Sequence, residues 1–210
     1  MNTVSSPAEQ RVILDNISWS TYLAILQDAD SCRGRIAYDR GVLEIMSPSK
    51  LHENVKRLIG RMIEAFTEEL NIEIESASST TFKREDLERG FEPDECYYIE
   101  HAAAICSKDD IDMTVDPPPD LIIEIDISRS SLNKFGIYRA LGIPEVWRYD
   151  GESLRLYVLH DNDYIEVQQS RVLSQLPIDT LTYLLSQRSL LGETQLVRQF
   201  RSRVRETFLS

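Results

Sequence analysis

Apolar residues recur along the chain in two rhythms, and the places where one gives way to the other divide it into elements. Residues 1–16 read as a polar lead. Trp19, Tyr22, Leu23, Ile25 and Leu26 then follow helical spacing, with Ser18 placed as an N-cap. Arg35 to Met46, RIAYDRGVLEIM, alternates on both sides of Asp39-Arg40-Gly41 and predicts a hairpin. Ser47-Pro48 supplies a cap and a first-turn proline for a helix that puts Leu51, Val55, Leu58, Ile59, Met62, Ile63, Phe66 and Leu70 on one face.

Ile72–Ser76 and Thr80–Lys83 predict strand segments, EDLERGFEP a polar loop, and Glu95–Ile99 another strand. The acidic, proline-rich loop DIDMTVDPPPD runs into an aliphatic strand, Leu121–Ile127. A helix follows from about Ser131 to Leu141, stopped by Gly142 and Pro144. EVWRYD reads as a strand, Leu154–Leu159 with Tyr164–Gln168 as a hairpin around Asp161-Asn162-Asp163, and the tail from Pro177 as helical, with Arg198, Arg201, Arg203 and Arg205 near its end. No repeat, low-complexity segment or linker breaks this succession. The expectation is one domain over 1–210, with a core at about 17–184 and a C-terminal helical arm at about 185–210.

Composition narrows the class. With 210 residues, 42% of them hydrophobic, the chain can bury one sizeable core. Its apolar runs fall short of the ~20 residues of a membrane span, and MNTVSSPAEQ lacks the charged-then-apolar order of a signal peptide, so the expected compartment is the cytoplasm. Cys32, Cys96 and Cys106 are odd in number and form no Cys-x-x-Cys pair, which argues against a disulfide framework and a zinc ribbon. The net charge of -12 repels polyanions at long range, so nucleic acid could approach only over a local basic patch.

The stretch PDLIIEIDIS carries the sharpest chemical question. On a strand, Asp120, Ile122, Glu124 and Asp126 share one face, and Leu121, Ile123, Ile125 and Ile127 the other. Carboxylates two positions apart on one face lie within ~7 Å of each other, so each raises the other's pKa unless a cation stands between them. An edge strand that turns this face to solvent is one reading, and by itself the larger share. The other is a divalent metal or a basic partner. Oxygen ligands without Cys or clustered His suit Mg²⁺ or Mn²⁺ better than zinc, and Mg²⁺ takes only one or two protein carboxylates. FEPDECYYI tilts the balance, because Asp94 stands before an aromatic strand and can reach Glu124 if the two strands are neighbours.

Lys134 falls early in the next helix, on a stripe with Tyr138 and Leu141. It reads equally as a lysine that steadies an attacking water or a phosphate charge and as a surface lysine with a packed stem. His52 lies on the apolar stripe of its helix and reads as a histidine satisfied at the core edge. His101 and His160 show no partner pattern.

The order of these segments, a hairpin ending in SPSKLHENV, then EPDECYYI, then PPPDLIIEIDISRSSLNKFGIYRALGIPEVWRYDG, resembles the Uma-two family of predicted restriction endonucleases, within the PD-(D/E)xK nuclease superfamily. The resemblance spans roughly Ile17 to Leu184 and is most specific from Asp120 to Asp150. It implies an α/β fold with a restriction-endonuclease-like core, a central mixed β-sheet flanked by helices, in the order helix, three mostly antiparallel strands, helix, strand. It implies Asp94 and Glu124 as the motif's acids and metal ligands, joined by the backbone carbonyl of Ile125. The chain departs from the superfamily two positions after the glutamate, where Asp126 replaces the usual lysine. Lys134 matches the helical lysine that takes over in this family, Asp126 becomes a further candidate ligand, and His52 matches the family's helical histidine as an auxiliary. Pro93-Asp94 is then the motif's Pro-Asp by strand order, while Asp120 opens its own strand.

The leading expectation is a Mg²⁺- or Mn²⁺-dependent endonuclease acting on DNA, approached over Lys50, Lys56, Arg57, Lys83, Arg84, Arg129 and the C-terminal arginines. A non-catalytic binding or assembly module of the same fold, and a metal-dependent hydrolase of small phosphoesters, are the alternatives. Analogy with related nucleases implies a homodimer, for which Leu190–Phe208 is a candidate arm.

Overall fold

The computed structural model describes residues 9–28, 34–127 and 132–209. Cys32, Arg129 and Ser131 lie outside the described residues.

The elements run β1 (Gln10–Leu14), α1 (Trp19–Asp28), β2 (Arg35–Asp39), β3 (Val42–Ser47), α2 (Lys50–Leu70), β4 (Glu75–Ser76), β5 (Phe82–Arg84), β6 (Arg89–Phe91), β7 (Glu95–Tyr98), α3 (Ala102–Ile105), β8 (Leu121–Ile125), α4 (Phe135–Ala140), β9 (Glu145–Tyr149), β10 (Leu154–His160), β11 (Asp163–Val167), α5 (Ile178–Ser186) and α6 (Glu193–Phe208). They build two sheets, one ordered β1-β3-β2-β6-β5 and a larger one ordered β11-β10-β9-β8-β7-β4. In the larger sheet β4, β7 and β8 are antiparallel neighbours, and β8 and β9 are parallel, joined by α4. Parallel neighbours need such a crossover, whereas antiparallel ones need only a turn. Helix α2, three antiparallel strands, helix α4 and strand β9 are therefore a restriction-endonuclease-like core within a mixed α/β fold.

β8 sits in the interior of its sheet with all five residues buried. Leu121, Ile123 and Ile125 pack in one cluster with Val55, Ile59, Ile63 and Phe66 of α2. Ile122 packs in another, with Cys96, Val146, Ile137 and Tyr138. A solvated edge strand is excluded, so the carboxylate of Glu124 lies within the protein at 3% exposure.

Several boundaries differ from the sequence reading. Residues 1–16 are not merely a polar lead, since Gln10–Leu14 pairs with β3 as an edge strand. The cap of α2 is Ser49 rather than Ser47, its side chain accepting a hydrogen bond from the His52 amide. EDLERGFEP is not all loop. It holds a short 3₁₀ turn, Glu85–Leu87, and β6, which pairs with β2 and β5. β8 stops at Ile125, and Lys134 is the residue before α4 rather than a member of its stripe. α6 is no free arm: Leu196, Val197, Phe200 and Val204 are buried in the cluster containing α2, and Arg201 and Arg205 bind Glu68 and Glu69. No helix among the described residues is long and apolar enough to cross a membrane.

Gly90 in β6 is required by close packing. A Cβ there would lie 2.1 Å from the Tyr22 hydroxyl oxygen, and the fully buried Tyr22 ring is stacked on Tyr38 with centroids 4.8 Å apart, leaving it no retreat. Gly90→Ala is expected to destabilise the fold by about 1–3 kcal/mol in urea unfolding, and adding Tyr22→Phe to recover part of that loss.

Candidate active site

Strand register assembles the site. Extended one step beyond Glu95↔Ile123, the antiparallel β7–β8 pairing sets Asp94 opposite Glu124, and the parallel β8–β9 pairing sets Arg148 opposite Glu124 on the other side. Residues directly opposite share a face, with Cβ atoms about 4.5–5.5 Å apart in antiparallel pairs. An acid, an acid and an arginine thus form one row across three strands.

Asp94 is 1% exposed and held from two directions. Its Oδ2 accepts a hydrogen bond from the Ile125 amide at 2.8 Å, and its Oδ1 lies 2.8 Å from Nε2 of His52 and 3.8 Å from Nε of Arg35. The first turn of α2 delivers His52, whose Nδ1 is 2.7 Å from Oε1 of Glu9. Burial opposes the imidazolium charge, yet Asp94 and Glu9 overcome it and raise His52 from 6.5 to about 9. Burial likewise opposes ionisation of Asp94, but the contacts with His52, Lys134 and the Ile125 amide outweigh it and hold this carboxyl below its ordinary value.

Glu124 shows the opposite balance. Burial pushes it up against the pull of Lys134, and Asp94 and Asp126 push in the same direction. The Lys134 ammonium donates to Glu124 Oε2 at 2.8 Å and stays charged despite burial because Glu124 and Asp94 face it. Lys134 thus reaches back from the start of α4 to the end of β8. It is not a surface lysine, since its side chain is only 12% exposed.

Asp126 is engaged elsewhere. Its Oδ2 accepts from Arg148 Nε at 3.0 Å and from Arg148 Nη2, and its Oδ1 accepts from Arg11 Nη2 at 3.4 Å. Arg11 also donates to Glu44 at 3.1 Å. The guanidinium of Arg148 lies over the Phe135 ring, 5.3 Å from its centroid. Glu124, Asp126, Lys134, Phe135, Tyr138 and Arg148 line a cavity of about 250 Å³ that also touches Leu132 and Asn133.

The sequence-predicted residues Asp94, Glu124, Lys134 and His52 come together, whereas Asp126 meets arginines. No group of three or more His, Cys, Asp or Glu among the described residues is arranged to hold a metal ion. Asp94 Oδ1 is taken by His52 and Glu124 Oε2 by Lys134, while the buried Glu124 Oε1 accepts no regular hydrogen bond. A buried acceptor left so is costly, and two carboxylates suit the small ligand demand of Mg²⁺ or Mn²⁺. The donor set fits such an ion.

A family model described as "putative restriction endonuclease", Uma2, matches residues 19–190. The chain belongs to the Uma2 family. No curated protein matches it. Membership points to a nuclease, and the Uma2 match leaves β1 outside its span.

Asp120, by contrast, supports structure in this Uma2 chain. It is fully buried, accepts from the amides of Ile99 and His101 at 2.7 and 3.0 Å, and faces His101 Nδ1 at 2.6 Å, a partner for His101 that the sequence did not reveal. The proposed DNA-facing cations are partly spent: Arg84 pairs with Asp86, Arg201 with Glu68 and Glu69, Arg205 with Glu69, and Arg203 with Glu206. Sequence reasoning missed Glu9, Arg11, Glu44 and Arg148. The usable signal was a lone charge threaded into an apolar strand, as in VLEIM and EVWRY, the same sign that singled out Glu124.

The pH dependence of stability follows from His52. Its folded value lies above its ordinary 6.5, so the stabilisation from its charged form is complete below about pH 6.5 and lost as pH rises through about 9. Urea unfolding between pH 6 and 10 is expected to show a loss on the order of 3 kcal/mol across that window, and His52→Gln to flatten it.

Proposed function

We propose that this protein is a Mg²⁺- or Mn²⁺-dependent endonuclease that hydrolyses DNA phosphodiester bonds. The observation that carries this reading is the buried row of Asp94 and Glu124, with the Lys134 ammonium on Glu124 at the wall of a cavity that Glu124, Lys134 and Arg148 line. The carboxylates of Asp94 and Glu124 would hold the ion. When bound, the ion supplies Lewis acidity at the scissile phosphate and makes water more acidic.

The chain's own residues do the rest. His52 and the Ile125 amide fix the Asp94 carboxylate from either side. Lys134 keeps a positive charge where negative charge grows as the phosphate is attacked, and its pairing with Glu124 holds that charge at the cavity wall. Arg148, oriented by Asp126 and Phe135, offers a planar guanidinium to a phosphate oxygen. This supports Asp126 as an anchor for Arg148 rather than a metal ligand, with Arg148 and Lys134 together restoring the charge that a lysine at position 126 would give.

The charge balance favours one second reading, a metal-dependent hydrolase of small phosphoesters. A net charge of -12 repels a duplex at long range, and Arg201 and Arg205 are already paired with acids, whereas a small phosphoester needs only the cavity.

Supercoiled plasmid incubated with Mg²⁺ or Mn²⁺ is expected to be nicked and linearised by the wild type, with no cleavage in excess EDTA. Glu124→Ala and Lys134→Met are each expected to lower the rate on the order of 10²-fold or more. Equal cleavage by wild type and Glu124→Ala overturns the assignment, and turnover of bis-p-nitrophenyl phosphate without plasmid cleavage moves it to the second reading.

A further inference from the structure

β1 has an inverted pattern for an edge strand. Apolar Val12 is 52% exposed, while the side chains of Glu9 and Arg11 are 1% and 11% exposed. Turning charge inward and hydrocarbon outward forfeits hydrophobic stabilisation and desolvates two ions, which is costly unless both are well partnered. The partners are not incidental. Glu9 meets Nδ1 of His52 at 2.7 Å, and the same ring presents Nε2 to Asp94 at 2.8 Å. Arg11 binds Asp126 Oδ1, and Asp126 Oδ2 carries Arg148. Both inward charges, Arg11 in β1 and Glu9 just before it, therefore end, one residue removed, on groups that face the proposed reaction.

A ring flanked by carboxylates on both nitrogens has its rotation fixed, because turning it breaks both contacts. Without Glu9, His52 would keep only the Asp94 contact and could swing about its Cβ–Cγ bond, and the Asp94 carboxylate would lose its fixed neighbour. Ligating groups are commonly oriented in this way by partners one step further out, whose loss weakens metal affinity without removing a ligand.

We infer that Glu9 and Arg11 are positioning residues, an N-terminal brace that fixes Asp94 through His52 and Arg148 through Asp126. The inference rests on the metal-dependent reading of the site. It assigns a role in that site to a strand outside the span of the family match.

The Ile125 amide donates to Asp94 Oδ2 and so reports the placement of Asp94 with no metal present. In Glu9→Ala the Ile125 amide proton resonance is expected to move upfield as that hydrogen bond loosens. Mn²⁺ affinity measured by calorimetry is expected to fall roughly tenfold. Val12→Ala, on the outward face of the same strand, is expected to change neither, which separates the brace from general weakening of β1. Should Glu9→Ala not fold, Glu9→Gln is expected to give the same changes at smaller amplitude. An unmoved Ile125 resonance with unchanged Mn²⁺ affinity in a folded Glu9 variant overturns the brace, as do equal changes in Val12→Ala. A wild type that binds no Mn²⁺ overturns the metal reading beneath it.

Discussion

Everything at this site follows from the cost of holding two carboxylates side by side inside a sheet. Asp94 and Glu124 are brought opposite each other by strand pairing, and both are almost wholly buried. Each buried charge carries a desolvation penalty of several kcal/mol, and their mutual repulsion adds to it. The protein answers with cations placed on both sides of the pair, His52 from α2 and Lys134 from the start of α4. These contacts offset the penalty that burial imposes on the two carboxylates, and they fix where the carboxylates point.

The division of labour between the two faces of β8 explains how the fold tolerates this. One face is given wholly to hydrocarbon, where Leu121, Ile123 and Ile125 meet the stripe of α2 and the helices behind it. The other carries Ile122 in a smaller apolar cluster and then Glu124 at its rim, next to the cavity. Burial on the first face anchors the strand, so the second can present charge without the strand shifting register. A slip of one residue would exchange the two faces and put Glu124 into the hydrocarbon layer.

Much of the fold was legible because its periodic segments are long. The stripe of α2, the alternation around Asp39-Arg40-Gly41 and the aliphatic run of β8 each carry a signal that no local exception obscures. Of the site, Asp94, Glu124 and Lys134 stood out by their positions and His52 only through the family resemblance, and the structure brings the four together. β1 was missed because its apolar side chains face outward and its charges inward, the reverse of the pattern that marks a strand. β6 was missed because three residues around Gly90 give no rhythm, and the strand exists because β2 and β5 lie on either side of it. The engagement of Asp126 was invisible for a simpler reason. Its partners Arg148 and Arg11 come from other strands, and only the folded register shows that they converge.

The packing of α6 on α2 joins a segment made early in synthesis to one made late. α2 emerges early from the ribosome with Phe66 and its neighbours uncovered, and Phe200 and Val204, which share their cluster, follow only after every strand has been made. Until then the helix that carries His52 has an incomplete floor, because this contact joins residues far apart in sequence.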